Sequence, residues 1–224
     1  MDNFDNTIAV VGGTGPQGRG LALRFARAGH AVVIGSRSAE RAGDTAAEIR
    51  HRVGASAEVR GLANPDAVAA AGIALLAVPW DGHRELVRDL APHLAGKLVI
   101  SCVNPLGFDR HGPYGLDVEE GSAAEQAQQL VPDAVVVGAF HHLSAVTLWE
   151  ADGLLDHEDV LVCGDDRAAK ERVAALAATI TGRPGIDSGA LRLARHLEPL
   201  TAVLIGVNRR YRTRSGLKLS GIPA

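Results

Sequence analysis

The sequence is poor in aromatic residues, and its net charge is small. Aromatic side chains make up 4% of the 224 residues, and the formal net charge is −3. Proteins that bind nucleic acid usually combine a basic surface with aromatic side chains on which bases stack. This composition therefore argues against a nucleic-acid partner and favours a small-molecule ligand.

The low cysteine content excludes two kinds of site. Cys102 and Cys163 lie far apart and form no C-x-x-C pair, so they indicate neither a zinc site nor a redox-active dithiol. We interpret both as buried free thiols. The histidines show no spacing typical of a metal-binding pair, and we expect no metal ion.

Long apolar runs are absent as well. No stretch approaches the roughly 20 consecutive apolar residues that a membrane-spanning helix needs. The first residues, "MDNFDNTIAV", contain no basic segment followed by an apolar one, so no secretory signal is indicated. We expect a cytoplasmic protein with no membrane partner.

Short runs rich in valine and isoleucine alternate with segments of helical period. Examples are "TIAVV" before "QGRGLALRFARAG" and "AVVIG" before "SAERAGDTAAEIRHRV". This alternation predicts an α/β fold in which helices cover both faces of a doubly wound parallel sheet. Because the pattern changes near residue 144, we expect a main domain over residues 1–143 and a smaller domain over residues 144–224.

Local signals refine this prediction. Ser38 is placed to cap the second helix, Ser122 with Glu125 fits a capping box, and Asp165 with Asp166 is typical of a helix start. The segment 104–115, "NPLGFDRHGPYG", is rich in proline and glycine. We therefore expect a long irregular loop after the fifth strand.

The stretch "VVGGTGPQGRG" at residues 10–20 carries the strongest motif. Gly13, Gly15 and Gly18 fit G-x-G-x-x-G between a strand and a helix. In dinucleotide-binding (Rossmann) folds the first glycine permits a tight turn, the second lets a pyrophosphate approach, and the third lets the helix pack on the strand. The sequence thus predicts a dinucleotide site.

The end of the next strand indicates which dinucleotide. An NAD site usually places an acid about 20 residues beyond the glycines, whereas this chain offers Ser36 and Arg37 there, followed by Arg41. A hydroxyl and two guanidinium groups suit a 2′-phosphate. We predict NADP rather than NAD, and residues 1–143 become the NADP-binding domain.

At this point the sequence resembles the NADPH:coenzyme F420 oxidoreductases, which pass hydride between NADP and an 8-hydroxy-5-deazaflavin. The resemblance runs through nearly the whole chain. It rests on "VVGGTGPQGRGLALRFARAGH", "VIGSRSAER", "AVPW" at 77–80, "AFHHLSA" at 139–145, "VCGDD" at 162–166, "GRPGIDSG" at 182–189 and "GLKLSG" at the end.

The resemblance implies roles for particular positions. His141 would be the catalytic residue, as a hydrogen-bond partner or proton donor for the deazaflavin, whereas His142 departs from the family pattern and receives no role. The cofactor-binding residues would follow the path of NADP from pyrophosphate to nicotinamide. They are Gly13, Thr14, Gly15, Pro16, Gln17 and Gly18 at the pyrophosphate, Ser36, Arg37 and Arg41 at the 2′-phosphate, Val78 and Asn104 beside the nicotinamide half, Ala145 next to the nicotinamide ring, Leu143 under the deazaflavin, and Ser215 in a segment folding back over the site.

Two rival functions stay open at this stage. An NADPH-dependent reductase of a small carbonyl or imine would need a positioned acid or base. Lys170, the one lysine of the second domain before the tail, falls on the polar face of a helix, and we interpret it as a solvated charge. The other rival is a non-catalytic, NADPH-binding redox sensor.

Three further features bear on ligand binding, self-association and packing. The basic segment "NRRYRTRSGLKLSG" is either a solvated helix end or a cradle for the anionic tail of the deazaflavin. The apolar face of "ALRLARHLEPLTAVLIGV" could form a homodimer surface. We interpret Trp80 as a packing residue and not as a platform for a ring.

Overall fold

The computed structural model describes residues 6–222. The described strands are β1 (Ile8–Val11), β2 (Val32–Ser36), β3 (Val59–Ala63), β4 (Ile73–Leu76), β5 (Leu98–Ser101), β6 (Leu106–Asp109), β7 (Gly112–Gly115), β8 (Val135–Gly138), β9 (Leu161–Gly164) and β10 (Ile186–Gly189). The described helices are α1 (Pro16–Arg27), α2 (Ala39–Val53), α3 (Asn64–Ala69), α4 (His83–Leu94), α5 (Ala123–Leu130), α6 (Ala145–Glu150), α7 (Arg167–Thr181) and α8 (Ala194–Tyr211).

Eight strands form one sheet in the order β10-β9-β8-β5-β4-β1-β2-β3. Neighbouring strands are parallel except β8 and β9, which pair antiparallel. The predicted doubly wound α/β fold is confirmed, with this one antiparallel pairing added. From β1 the chain winds outward through β2 and β3, then returns to the other side of β1 with β4. The topological switch point, where such folds bind ligands, is therefore between β1 and β4.

The sheet is buried on both faces by helices. Along β1 the side chains alternate, so that Val10 packs with residues of α1 while Val11 packs with residues of α4. All four residues of β1, β4 and β5 are buried, as expected for central parallel strands. The ends of β1, β2 and β4 are level, because Val11 is in register with Gly35 and with Leu76.

The predicted helix starts are confirmed. The Ser38 hydroxyl accepts from the N–H of Arg41, and the Ser122 hydroxyl accepts from the N–H of Glu125 and donates to the Glu125 carboxylate. Of the two aspartates, Asp166 caps α7, whereas Asp165 accepts from the N–H of Leu191.

The predicted irregular loop at 104–115 is wrong. Residues within it form an antiparallel hairpin of β6 and β7, with Leu106 opposite Gly115 and Asp109 opposite Gly112. The hairpin lies against α8, where Gly115 approaches Pro199 so closely that a Cβ would be 2.7 Å from the proline Cβ. Packing on a distant helix thus stabilises strands that the local composition disfavours.

The structure also bears on the cysteines and on membrane spans. Cys102 and Cys163 are buried and free, as predicted, and burial raises the pKa of each thiol to about 12. No helix within residues 6–222 is long and apolar enough to cross a membrane.

Candidate active site

Two cavities open at the switch point and share part of their lining. One, of about 330 Å³, contains Ser36, Arg37 and Arg41, and we call it the arginine cavity. The other, of about 480 Å³, is lined mainly by apolar side chains, and we call it the apolar cavity. Both include Gly15 and Val78, so the two cavities meet between the starts of α1 and α4.

The glycine-rich turn lies between the two cavities. A Cβ on Gly18 would lie 2.5 Å from the carbonyl oxygen of Gly12, and one on Gly13 would lie 2.8 Å from that of Val10, so close packing requires glycine at both positions. The left-handed residue of the turn is Gly12, with φ +76°, and not one of the three motif glycines. Gly13 and Gly18 line neither cavity and shape the turn through packing alone.

The start of α1 suits an anion. Gly15 is the N-cap residue and provides no side-chain cap, Pro16 follows it, and no acid lies in the first turn. The first N–H groups of a helix and the helix dipole favour negative charge, and Gly15 at this helix start lines both cavities. Thr14 lines the arginine cavity, and Pro16 and Gln17 line the apolar one.

The arginine cavity brings together the residues predicted for the 2′-phosphate. Ser36 is the last residue of β2 and is buried, and its hydroxyl accepts from the N–H of Ser38. Arg37 and Arg41 are exposed, and within residues 6–222 neither guanidinium forms an ion pair. Asn64, which sequence reasoning did not identify, also lines this cavity, and its Oδ1 is buried without a partner among the described residues.

The apolar cavity collects the remaining predicted residues. Its lining includes Val78, Asn104, His141, Leu143, Ala145 and Ser215. Sequence reasoning missed the contribution of α8, which comprises Thr201, Leu204, Ile205 and Asn208. The signal was present, because Thr201 and Asn208 are two helical turns apart and interrupt an otherwise apolar stripe.

The loop before α6 is held by hydrogen bonds from three directions. The carbonyl of His141 accepts from Asn104 Nδ2 at 3.0 Å and from Thr201 Oγ1 at 3.0 Å. The carbonyl of Phe140 accepts from Gln17 Nε2 at 3.3 Å, and Phe140 itself has φ +65°. A non-glycine residue in the left-handed region is strained, so the surrounding contacts fix this loop in place.

The two histidines of the loop are neutral. His141 is 4% exposed, and burial with the neighbouring His142 lowers its pKa to about 3. Burial also lowers the pKa of His142, although the carbonyl of Leu197, 2.7 Å from its Nε2, opposes the shift. The His141 Nε2 has no partner among the described residues, so a neutral ring nitrogen is available to a ligand group. The catalytic assignment of His141 stays a prediction.

The interpretation of Lys170 as a solvated charge is wrong, and two cations of the basic tail have protein partners. Lys170 is not a solvated charge, because its side chain is 14% exposed and its Nζ lies 2.8 Å from the Asp187 carboxylate. In the basic tail, Arg214 pairs with Glu150 at 2.7 Å, and Lys218 donates to the carbonyl of Asp156 at 2.9 Å. Both of these cations therefore have protein partners, and neither lines the cavities.

Trp80 is a packing residue, as predicted. It packs against the apolar cluster beneath α4, and its ring stacks on His83 with centroids 5.5 Å apart. It lines neither the arginine cavity nor the apolar cavity.

Comparisons with known proteins agree with the resemblance seen in the sequence. Residues 7–105 match the family model "NADP oxidoreductase coenzyme F420-dependent". The chain is 39% identical over 222 residues to the F420-dependent NADP reductase of Methanothermobacter thermautotrophicus, covering 96% of this chain and 95% of that one. It is 36% identical over 221 residues to the enzyme of the same name from Methanocaldococcus jannaschii, covering 96% and 98%.

A solved structure is similar along its whole length. The crystal structure from Arthrobacter sp. FB24, described as an F420-dependent NADP reductase, has a TM-score of 0.80 and 29% identity, covering 96% of this chain and 99% of that one. Sequence identity above 30% along nearly the full chain and this agreement of fold lead to one conclusion. The chain belongs to the F420-dependent NADP reductase family.

Proposed function

We propose that the protein is an oxidoreductase that transfers hydride between NADP(H) and coenzyme F420. The observation that carries this proposal is the contrast between the cavities: the arginine cavity holds unpaired cations, and the apolar cavity presents no charged side chain at all. Hydride transfer between two cofactor rings depends on close stacking of the rings, and the cofactors themselves supply the reacting carbons. The family relatives carry the same activity in their names.

The NADP phosphates are assigned to groups that face the junction and the arginine cavity. The N–H groups at the start of α1 receive the pyrophosphate, while Ser36, Arg37 and Arg41 receive the 2′-phosphate. Val78, Asn104 and Ala145 then border the nicotinamide half. In the same assignment Gly13 and Gly18 shape the turn. Thr14, Gly15, Pro16 and Gln17 line the pyrophosphate, and Leu143 and Ser215 lie beside the deazaflavin.

The apolar cavity is assigned to the deazaflavin ring. The two cofactors supply the hydride donor and acceptor carbons, and the protein holds them face to face. Leu143, Leu204 and Ile205 exclude water from the junction, and small Ala145 leaves room for close ring contact. Neutral His141 offers a ring nitrogen to the polar edge of the deazaflavin. Residues 1–143 form the NADP-binding part and residues 144–224 close the deazaflavin site in this proposal; residues 1–5 and 223–224 lie outside the described residues.

A stopped-flow experiment tests the activity. The protein is mixed with NADPH and oxidised coenzyme F420, and the visible absorbance of the deazaflavin is followed, with NADH and FMN as controls. Rapid bleaching with NADPH and little with NADH is expected. Binding of NADPH without bleaching would reject the proposal and return the carbonyl or imine reductase and the redox sensor as candidates.

Lys170 does not support the imine reductase. Its ammonium group is paired with Asp187 and lies outside both cavities, so it is not placed to act as an acid or base on a bound substrate.

We propose that the protein forms a homodimer through the hairpin and α8. The large side chains of Phe108, Tyr114, Val203 and Tyr211 are 67%, 47%, 58% and 70% exposed, and they belong to elements that contact one another: β6, β7 and α8. Light scattering should give the mass of two chains, and a monomer mass would reject the dimer.

We also propose a cytoplasmic location and ligands that are small molecules and not nucleic acid. Two free buried thiols suit a reducing compartment, and the net charge of −3 offers no basic footprint. Cell fractionation and a gel-shift assay with DNA and RNA test the two statements.

A further inference from the structure

One glycine of "VVGGTGPQGRG" has no part in the dinucleotide turn. Gly20 lies inside α1, where glycine destabilises a helix relative to alanine. A Cβ on Gly20 would lie 2.8 Å from the Cβ of Leu148 and 3.3 Å from the carbonyl oxygen of Ala145. Both atoms belong to α6, so Gly20 permits α6 to approach the backbone of α1.

Arg24 lies one turn further along the same face of α1. It is 4% exposed, and its guanidinium donates four hydrogen bonds to backbone carbonyls at the end of α6 and just beyond it. They run from Nε to Leu148 at 2.7 Å, from Nη2 to Thr147 at 3.0 Å and to Ala151 at 2.7 Å, and from Nη1 to Gly153 at 2.6 Å. A cation that satisfies the free carbonyls of a helix C-terminus stabilises that end of the helix.

Helix α6 depends on these contacts for its position. It has six residues, and a helix of that length is not stable in isolation. Its first residue, Ala145, lines the apolar cavity, and so does Pro16, the first residue of α1. The position at which α6 packs on α1 therefore sets the width of the cavity between these two helix starts.

We propose that Gly20 and Arg24 are positioning residues that place Ala145 at the distance from α1 required for ring-to-ring hydride transfer. Neither residue touches the cavities; they act through α6. This inference rests on the proposed function. Since displacement of a reacting group by about 1 Å can slow a reaction on the order of 100-fold, a small shift of α6 is enough to matter.

Two substitutions move α6 by different means. Gly20→Ala inserts a methyl group against the Leu148 Cβ, which cannot rotate away. Arg24→Lys keeps the positive charge but replaces a planar fork of donors by a single ammonium group, which cannot reach all four carbonyls. Gly43→Ala and Arg88→Lys are the matched controls, because a Cβ on Gly43 meets nothing within 4 Å and Arg88 is exposed on α4.

The measurement is a single turnover of NADPH-loaded protein with oxidised coenzyme F420. The amplitude reports the fraction of competent protein, and the rate constant reports the geometry of that fraction. We expect the rate constant to fall at least tenfold in Gly20→Ala and in Arg24→Lys, with the NADPH dissociation constant within twofold of wild type and both controls unchanged. With NADPH deuterated at the transferred position, the slowed step should keep its full primary isotope effect.

The outcomes separate this inference from the function on which it rests. If the wild-type protein transfers hydride and both variants do so at the wild-type rate constant, whatever their amplitudes, the positioning role is overturned alone. A lost isotope effect also overturns it, because another step has then become slow. If the wild-type protein transfers no hydride, the proposed function fails and this inference fails with it.

Discussion

The arginine cavity and the apolar cavity share a wall but differ in how they recognise a ligand. The arginine cavity uses charge, with two unpaired guanidinium groups and the free N–H groups of α1 nearby. The apolar cavity uses shape, with alanine, leucine and isoleucine side chains and two histidines held neutral by burial. The proposed function needs both cavities. A phosphate is held by charge, whereas hydride transfer is favoured where water is excluded from the reacting rings.

The two cavities also differ in their origin along the chain. The glycine-rich turn, Ser36, Arg37 and Arg41 of the arginine cavity lie within residues 12–41, where β1 is followed by α1 and β2 with short loops, and the rest of its lining lies within residues 64–86. The apolar cavity is assembled from the start of α1, the end of β4, the loop before α6, one face of α8 and the tail at Ser215. A local segment can be recognised from sequence, whereas an assembled site depends on tertiary packing.

The strongest test of the contrast is charge reversal in the arginine cavity. Arg37→Asp should raise the dissociation constant of NADPH on the order of 100-fold, because a charge-assisted hydrogen bond is replaced by repulsion of the 2′-phosphate. The dissociation constant of NADH, which lacks that phosphate, should change less than about threefold. Isothermal titration measures both.

Arg88→Asp is the control for this variant, since it makes the same change of charge on the exposed face of α4. An unchanged affinity for NADPH in Arg37→Asp would remove this residue from the phosphate site and, with it, the idea that charge organises the arginine cavity.

The matching test on the apolar side enlarges a side chain without changing charge. Ala145→Leu should lower the single-turnover rate constant of hydride transfer at least about tenfold by separating the two rings, while NADPH affinity changes less than about threefold. Val146→Leu, at a residue that is 42% exposed, is the control. If Ala145→Leu weakens NADPH binding and leaves the rate constant intact, Ala145 borders the NADP site only and not the ring junction.

The origin of each cavity explains what the sequence could predict. Gly15, Ser36 and Arg37 were found because a strand, a turn and a helix in succession fix their relative positions. Thr201 and Asn208 were missed although they interrupt the apolar stripe of α8, because the helical pattern does not show which residues the inner face of α8 meets. The hydrogen bond from Thr201 to the carbonyl of His141 spans 60 positions of the chain.

The same reasoning applies to the fold. The alternation of apolar runs and helical segments predicted the doubly wound sheet, but not the hairpin of β6 and β7, whose strands depend on contact with α8. Lys170 was placed correctly on a helix, yet its pairing with Asp187 across 17 positions could not be read from the helical period alone.

A smaller effect is expected from the hydrogen bonds that hold the loop before α6. Thr201→Val preserves shape but removes one of the two donors to the carbonyl of His141. The loss should cost about 1 kcal/mol of unfolding free energy and slow hydride transfer up to about fivefold, because Asn104 still holds the carbonyl. Denaturant titration and single-turnover kinetics measure the two effects.

Thr45→Val is the control, since Thr45 donates a comparable hydrogen bond to the carbonyl of Arg41 on the outer surface of α2. A rate constant in Thr201→Val equal to that of Thr45→Val would show that the loop needs no support from α8.

The last expected effect is a change in stability with pH that arises from His141. The folded protein holds the pKa of this imidazole at about 3, against an ordinary value of 6.5. Between these values the unfolded chain binds a proton that the folded chain does not, so stability falls as the pH decreases through this range. From pH 7 to pH 5 this one residue should cost about 2 kcal/mol of unfolding free energy.

His141→Gln removes the contribution and should flatten the decline, although not abolish it, because burial also lowers the pKa of His30, His83 and His142. Urea titrations of both proteins at the two pH values measure the difference. Since a neutral ring cannot gain or lose a proton near pH 7, His141 should add no pH dependence to hydride transfer between about pH 5 and 8, and the pH profiles of the wild-type protein and His141→Gln should have the same shape. An equal decline of stability in both proteins would mean that His141 is accessible to protons and that the apolar cavity is not the uncharged environment on which the contrast depends.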